Sequence, residues 1–388
     1  MKKLLVVLLV LGLAAPAMAA ETALYGSFRT HLGYYDVSED FLGGPYMDGT
    51  IGAGGGFDDQ GTMLSFSGQS RFGAKIKASD TLNAVFELGL RESDRTNSDL
   101  TQTYLRLAYG TWNFGAGSLT LGKDYTPATF LGYSNMVADI GDMGEAIFLV
   151  AGLPYIGRQP QIKLTVGGFQ VALIEPNGNA ATLTGYADDK DFYIPRVELA
   201  YQLNTPMISV RPVVGYQTYD VVNRGADETD KSIDSYHFGL GAMLRLGGFY
   251  ANATGSYMVN PGNYGETNLV VGTTTGLMNA AILDDDVEDS ELTQATLALG
   301  FKFSPTLRVE AGGTYNYIQR DVAPNGADLS SDQTGYLYYA QVGIGLAPGV
   351  TVTPEIGMVD RGDLKIDTQE DADQGTMTYG VVSFRIDF

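Results

Sequence analysis

The closing segment of the chain, TYGVVSFRIDF, alternates without a break. Val382, Phe384, Ile386 and Phe388 fall on one side of an extended strand, and Ser383, Arg385 and Asp387 fall on the other. Chain ends normally fray, whereas a closed barrel has to hydrogen-bond its last strand to its first so that no edge is left. A strand that is apolar on one face, polar on the other and carried to the final residue therefore predicts a transmembrane barrel, with lipid outside and water inside.

The other end agrees. Lys2 and Lys3 precede an apolar run from Leu4 to Ala15, and Ala17-Met18-Ala19 offers small residues where a signal peptidase reads. The expectation is a secretory signal over residues 1–19, cleaved after Ala19 or Ala20, followed by a single domain over 20–388. Beyond that leader no apolar stretch is long enough to cross a bilayer as a helix, so strands are the spanning option. A soluble periplasmic protein is the plainer alternative.

Composition supports alternating faces. The chain has 50 Gly, 24 Tyr, one Trp and no Cys, with 44% hydrophobic and 18% charged residues, neither strongly apolar nor rich in charge. Without cysteine there is no disulfide framework, thiol nucleophile or thiolate metal site. Lys and Arg number 24 against 45 Asp and Glu, and removing the leader makes the balance more acidic still. Such a surface repels nucleic acid and favours cations near a pore.

Period-2 patterning continues along the chain. Leu64, Phe66, Phe72, Ala74 and Ile76 oppose Ser65, Ser67, Gln69, Arg71, Lys75 and Lys77, which reads as one strand running from Leu64 through Lys77. Later segments repeat the alternation, such as Leu297, Leu299, Phe301 and Phe303 against Gln294, Thr296 and Lys302. Tight turns near Ser79-Asp80, Phe114 to Ser118, Gly167-Gly168, Asn204 to Pro206, Gly247-Gly248, Ser304-Pro305 and Pro348-Gly349 alternate with long polar stretches. The count is about sixteen strands, an even number that leaves both termini on the short-turn side. The fold class is all-β, an antiparallel transmembrane barrel.

Several tempting motifs carry little chemistry. The acidic run from Asp284 to Asp289 lacks the glycine turn of a calcium-binding loop, so it reads as a solvated loop, as do Asp188-Asp189 and Glu370-Asp371. No helix pattern follows the glycines from Gly52 to Gly56. Ser235 and His237 share a strand face, but neighbours two apart stand roughly 7 Å from each other, too far for a nucleophile and its base. No cofactor, metal or catalytic set is implied.

The stretch SRFGAKIKASDTLNAVFELGL, Ser70 to Leu90, resembles the second hairpin of the trimeric general-diffusion porins of Gram-negative bacteria. AYGTWNFGAGSLTLGKDYTPA, Ala108 to Ala128, resembles the approach to their constriction loop, and ALYGSFR and Phe388 sit where that family has similar residues. Between Asp124 and Arg158 the likeness is of position only. The resemblance implies a homotrimer in the outer membrane, delivered through the periplasm, surrounded by lipid and inserted by the barrel-assembly machinery, with Phe388 as closure and assembly signal. It also implies that the long third loop folds into the pore.

Inward-facing Arg29, His31, Arg71, Lys75, Arg91 and Arg106 would then form a basic wall opposite loop acids Asp139, Asp142 and Glu145. The expected function is passive diffusion of small hydrophilic solutes and ions with a weak cation preference. A substrate-selective channel is the nearest alternative, a structural or adhesive barrel scaffold is another, and a barrel enzyme ranks below both.

Overall fold

A computed structural model describes residues 20–40, 60–92, 101–138, 153–177, 190–222, 230–266, 276–283, 286–324 and 326–388. They form a closed antiparallel barrel of 16 strands with almost no helix. In chain order the strands are β1 (Glu21–Val37), β2 (two pieces, Gln60–Phe66 and Ser70–Lys77), β3 (Leu82–Glu92), β4 (Thr101–Asn113), β5 (Gly117–Tyr125), β6 (Arg158–Val166), β7 (Phe169–Ile174) and β8 (Arg196–Tyr201, continued by Leu203–Asn204). They continue with β9 (Ile208–Val221), β10 (Lys231–Leu246), β11 (Phe249–Val259), β12 (Ser290–Ser304), β13 (Leu307–Arg320), β14 (Ser331–Ala347), β15 (Val350–Asp360) and β16 (Thr376–Asp387). Each pairs with its sequence neighbour, and β16 pairs with β1 from Ser27↔Asp387 to Val37↔Met377.

The last strand closes the ring as its alternation predicts. Gly26 N–H donates to the Phe388 carbonyl at 2.9 Å, and Phe388 N–H returns a bond to the Gly26 carbonyl at 3.1 Å. The Phe388 ring lies 5.5 Å from that of Phe28 on the outer face and remains 57% exposed. Glycine at residue 26 lets that ring lie over β1, since a Cβ would sit 2.4 Å from it and push it aside.

Side chains sort by parity. On β1, Ser27, His31, Tyr35 and Val37 are buried while Leu24, Phe28, Leu32 and Tyr34 are exposed, and the same inside-outside alternation runs through β9 to β16. The exposed apolar residues form the outward surface, the side expected to meet lipid. Aromatic pairs gather towards its two rims: Trp112–Phe114 and Phe301–Phe303 by the short turns, Tyr216–Tyr236 and Tyr315–Tyr336 towards the long connections. All seven tight turns expected from sequence join strands at one end, and both ends of the described chain lie there too.

One expectation needs correcting. The single strand read from Leu64 through Lys77 is interrupted at residues 67–69. From the Thr30↔Phe66 pair to the Ser27↔Arg71 pair, β1 advances three residues and β2 five. The slack is taken up locally: Ser67 N–H donates to the Arg29 carbonyl, and Arg29 N–H donates to the Ser70 hydroxyl at 3.0 Å. Alternation hides such a break because an even number of extra residues restores the same face.

Candidate functional site

The lumen is assembled from the wet faces of all the strands, and its geometry is set by where its carboxylates find partners. On β3, Glu87 is buried and accepts from Arg106 Nε at 2.7 Å and from the Tyr25 hydroxyl at 2.9 Å, with Arg71 Nε at 3.6 Å. Arg106 is the extra residue of a bulge in β4, since Glu87 pairs with Leu107 and Leu88 with Leu105. That bulge turns its guanidinium inward beside the Tyr104 and Tyr125 hydroxyls, at 3.3 and 3.2 Å.

Across the barrel, three buried glutamates on the strands engage the outgoing part of the connection that follows β5. Glu198 accepts the Ala128 N–H at 2.7 Å. Glu310 accepts the Asn135 N–H at 2.7 Å, and the Tyr250 and Tyr339 hydroxyls also donate to it, each at 2.7 Å. Glu355 accepts from Val137 and Ala138 N–H at 2.8 and 3.2 Å and from the Tyr379 hydroxyl at 3.1 Å. Arg211 donates to the Pro127 carbonyl at 2.7 Å. Residues 126–138 therefore touch inward-facing side chains from β8 round to β15, with buried Phe130, Tyr133 and Met136 packed among them. Tyr155, on the returning part of the same connection, is held by its N–H to Glu266, and burial pushes its phenol up to about 12.

A second connection packs alongside, which the sequence reading missed. The one-turn helix α1 (Pro261–Tyr264) is wholly buried; the Tyr264 carbonyl accepts from Arg196 at 2.7 Å and its hydroxyl donates to Glu198 at 3.0 Å. Arg320 anchors the other limb by donating to the Asn279 and Gly276 carbonyls. The stretch has no helical or strand period and so gave no sign of this; its contacts come from backbone carbonyls together with single side chains such as Asn263, Tyr264 and Leu277.

Among the described residues, two neighbouring cavities lie beside this segment towards the closing seam. One, of about 460 Å³, is lined by Arg29, Arg71, Arg106 and Arg385, with Glu87 as its carboxylate. The other, of about 240 Å³, is lined by Arg29, Arg308 and Arg385 with Thr351, Thr353 and Ser383.

Of the residues expected at the wall, Arg29, Arg71 and Arg106 come together here. Lys75 faces inward nearer the short turns, its ammonium 5.3 Å from the Tyr25 ring centroid. His31 shares the inward face but is fully buried, its Nε2 3.4 Å from the Ser383 hydroxyl, so it lies behind the wall. Arg91 is in β3 opposite Gln102, and its side chain lies outside the described residues, as do Asp139, Asp142 and Glu145 altogether. His237 is buried between the Phe130 and Tyr264 rings, as packing, with Ser235 on the same face. Sequence reasoning did not single out Arg308 and Arg385 for the wall, although the alternation of the final strand already placed Arg385 on the wet face.

The sequence profile of the Gram-negative porins matches residues 5–365, nearly the whole chain. The chain belongs to the Gram-negative porins. A search of curated protein sequences gave no significant match. Among solved structures, the outer membrane channel DcaP of Acinetobacter baumannii is similar over 96% of this chain and 99% of its own, with a TM-score of 0.68 and 13% identity. OmpT of Vibrio cholerae, in its trimer form, covers 95% of this chain and 100% of its own at a TM-score of 0.54 and 15% identity. An anion-selective porin from Comamonas acidovorans covers the same shares at 0.54 and 14%. Identities this low speak to fold, and the family membership places this porin in the outer membrane as a channel protein.

Proposed function

We propose that this porin is a passive, water-filled channel for small hydrophilic solutes and ions, narrowed by residues 126–138, and that its narrow part attracts anions. The observation that carries the reading is the distribution of inward charge. Glu198, Glu310 and Glu355 are buried against backbone amides of the 126–138 segment and line neither cavity, whereas Arg29, Arg71, Arg106, Arg308 and Arg385 do, with Glu87 as the carboxylate among them. Charge that lines a constriction sorts ions more strongly than charge at the mouth, which is screened beyond about 10 Å at 0.1 M salt.

The weak cation preference expected from overall charge rests on Asp139, Asp142 and Glu145, outside the described residues, and on acidic outer loops. The described lumen supports the opposite sign. In a potassium chloride gradient across a planar bilayer, the zero-current potential should report chloride preference that persists in concentrated salt. A potential of potassium sign that Asn and Gln at those three positions abolish would restore the acidic-loop reading.

The leader, the homotrimer and the assembly role of Phe388 belong to the same proposal. Cross-linking of the native membrane should give a trimer and mature chains starting at Ala20 or Glu21. Deleting Phe388 removes a partly covered ring, worth less than the roughly 1.5–3 kcal/mol of full burial, together with the terminal aromatic offered to the assembly machinery, so folded protein in the outer membrane should fall more than thermal stability does. Wild-type amounts of heat-modifiable barrel in the deletion strain would refute that role.

A further inference from the structure

The charges at the closing seam are arranged in a way that strand pairing alone disfavours. Arg29 of β1 and Arg385 of β16 are direct partners in the ladder, on the inward face. Directly opposed side chains stand about 4.5–5.5 Å apart at Cβ, and like charges there repel. Asp387 answers Arg385 from the same strand, accepting from its Nε at 2.9 Å and lying 2.8 Å from its Nη2. Glu310 and Glu355, on the neighbouring strands, are engaged by Asn135, Val137, Ala138 and three tyrosines.

The third guanidinium is brought in by an absence of side chain. A Cβ at Gly343 would lie 2.8 Å from Arg308 Nε, so Arg308 lies across β14 only because residue 343 is glycine. Its Nε is buried without a hydrogen-bond partner among the described residues, and so is the hydroxyl of Ser134, which faces the same cavity from the loop side. A buried donor without a partner calls for an explanation, of which a bound water or anion is one.

We propose that Arg29, Arg308 and Arg385, with Ser134, Thr353 and Ser383, form a binding site for the phosphate group of a small solute at the seam of the barrel. The proposal rests on the anion-attracting reading above and sharpens it. Guanidinium forks bind tetrahedral oxyanions in pairs of parallel N–H···O bonds, and hydroxyls supply further donors at the remaining oxygens. The cavity, about 240 Å³, has a volume on the order of eight waters, enough for a phosphate with part of its hydration. It shares Arg29, Met136 and Arg385 with the larger cavity, so a bound group has a route onward past Arg71 and Arg106.

The test is block of chloride current through the reconstituted full-length protein. Inorganic phosphate added at fixed chloride should reduce single-channel current in a saturable way, and acetate at the same concentration should not. Arg308→Gln and Arg29→Gln should each raise the half-blocking concentration about tenfold, the loss expected of one charge-assisted contact. Arg245→Gln, on the inward face of β10 and bonded to Asn252, should leave it unchanged. Heat-modifiable mobility establishes that each variant is a folded barrel, and Thr353→Val, which keeps every charge, should weaken block in a barrel of normal conductance.

Block by glucose 6-phosphate as well as inorganic phosphate would assign the site to a phosphate carried on a solute; block by inorganic phosphate alone would assign it to the free ion. Chloride preference without saturable phosphate block, or equal block in the arginine variants, would overturn the site and leave the anion reading standing. Potassium preference in the wild type would overturn the reading itself.

Discussion

Replacing Glu355 by Ala should raise single-channel conductance and loosen residues 126–138. Its carboxylate accepts two successive backbone amides, from Val137 and Ala138, and the Tyr379 hydroxyl, all in a buried setting. Hydrogen bonds to a charged acceptor contribute about 1.5–3 kcal/mol each, and removing one side of such a set strands the donors. The segment should lose on the order of 3–5 kcal/mol of local anchoring, comparable to breaking a buried ion pair from one side. Glu310 still holds Asn135, so the loop should swing from its 137–138 end and not detach. Glu355→Gln keeps one acceptor oxygen and should fall between wild type and Ala. Single-channel recording and amide exchange at 137 and 138 would measure the two effects, and unchanged values for both would mean that packing of Phe130, Tyr133 and Met136 holds the segment by itself.

The second large effect is expected at Arg106. Only 2% of the residue is exposed, and it supplies the shortest bond to Glu87. Arg106→Met fills much of the same volume but leaves Glu87 buried with its main counter-charge gone, since Arg71 stands farther off at 3.6 Å. Breaking a buried pair in this way costs about 3–5 kcal/mol, enough to lower the melting transition of the detergent-folded barrel visibly. Changing both residues, Arg106→Met with Glu87→Leu, should recover most of the loss, because an apolar pair of similar size carries no stranded charge. A single variant as stable as wild type would show that water reaches Glu87 freely. The double variant removes one charge of each sign from the larger cavity, so it should keep selectivity near wild type, whereas Arg106→Met alone should attract anions less.

Sequence by itself determined the architecture. Period-2 alternation decides which residues meet lipid, as Phe28, Leu32, Phe384 and Ile386 do, and turn chemistry at Gly167-Gly168, Gly247-Gly248 and Pro348-Gly349 decides where strands reverse. Both are local properties of the chain, so a reader needs no partner strand to see them. Closure at Phe388 was legible for the same reason. The inward position of Arg29, Arg71 and Arg106 was legible as parity, but their convergence was not.

Tertiary structure decided what the lumen does. Whether an inward carboxylate attracts solute or clamps a backbone depends on what reaches it from far along the chain: Glu355 meets residues 137 and 138, and Glu310 meets Asn135. The bulge that aims Arg106, the two extra residues at 67–69, and the cross-ladder meeting of Arg29 with Arg385 are matters of register between strands, which no single strand encodes. A strand's own pattern fixes its faces; the charge left over to face water is fixed only when every strand and loop has taken its hydrogen-bond partners.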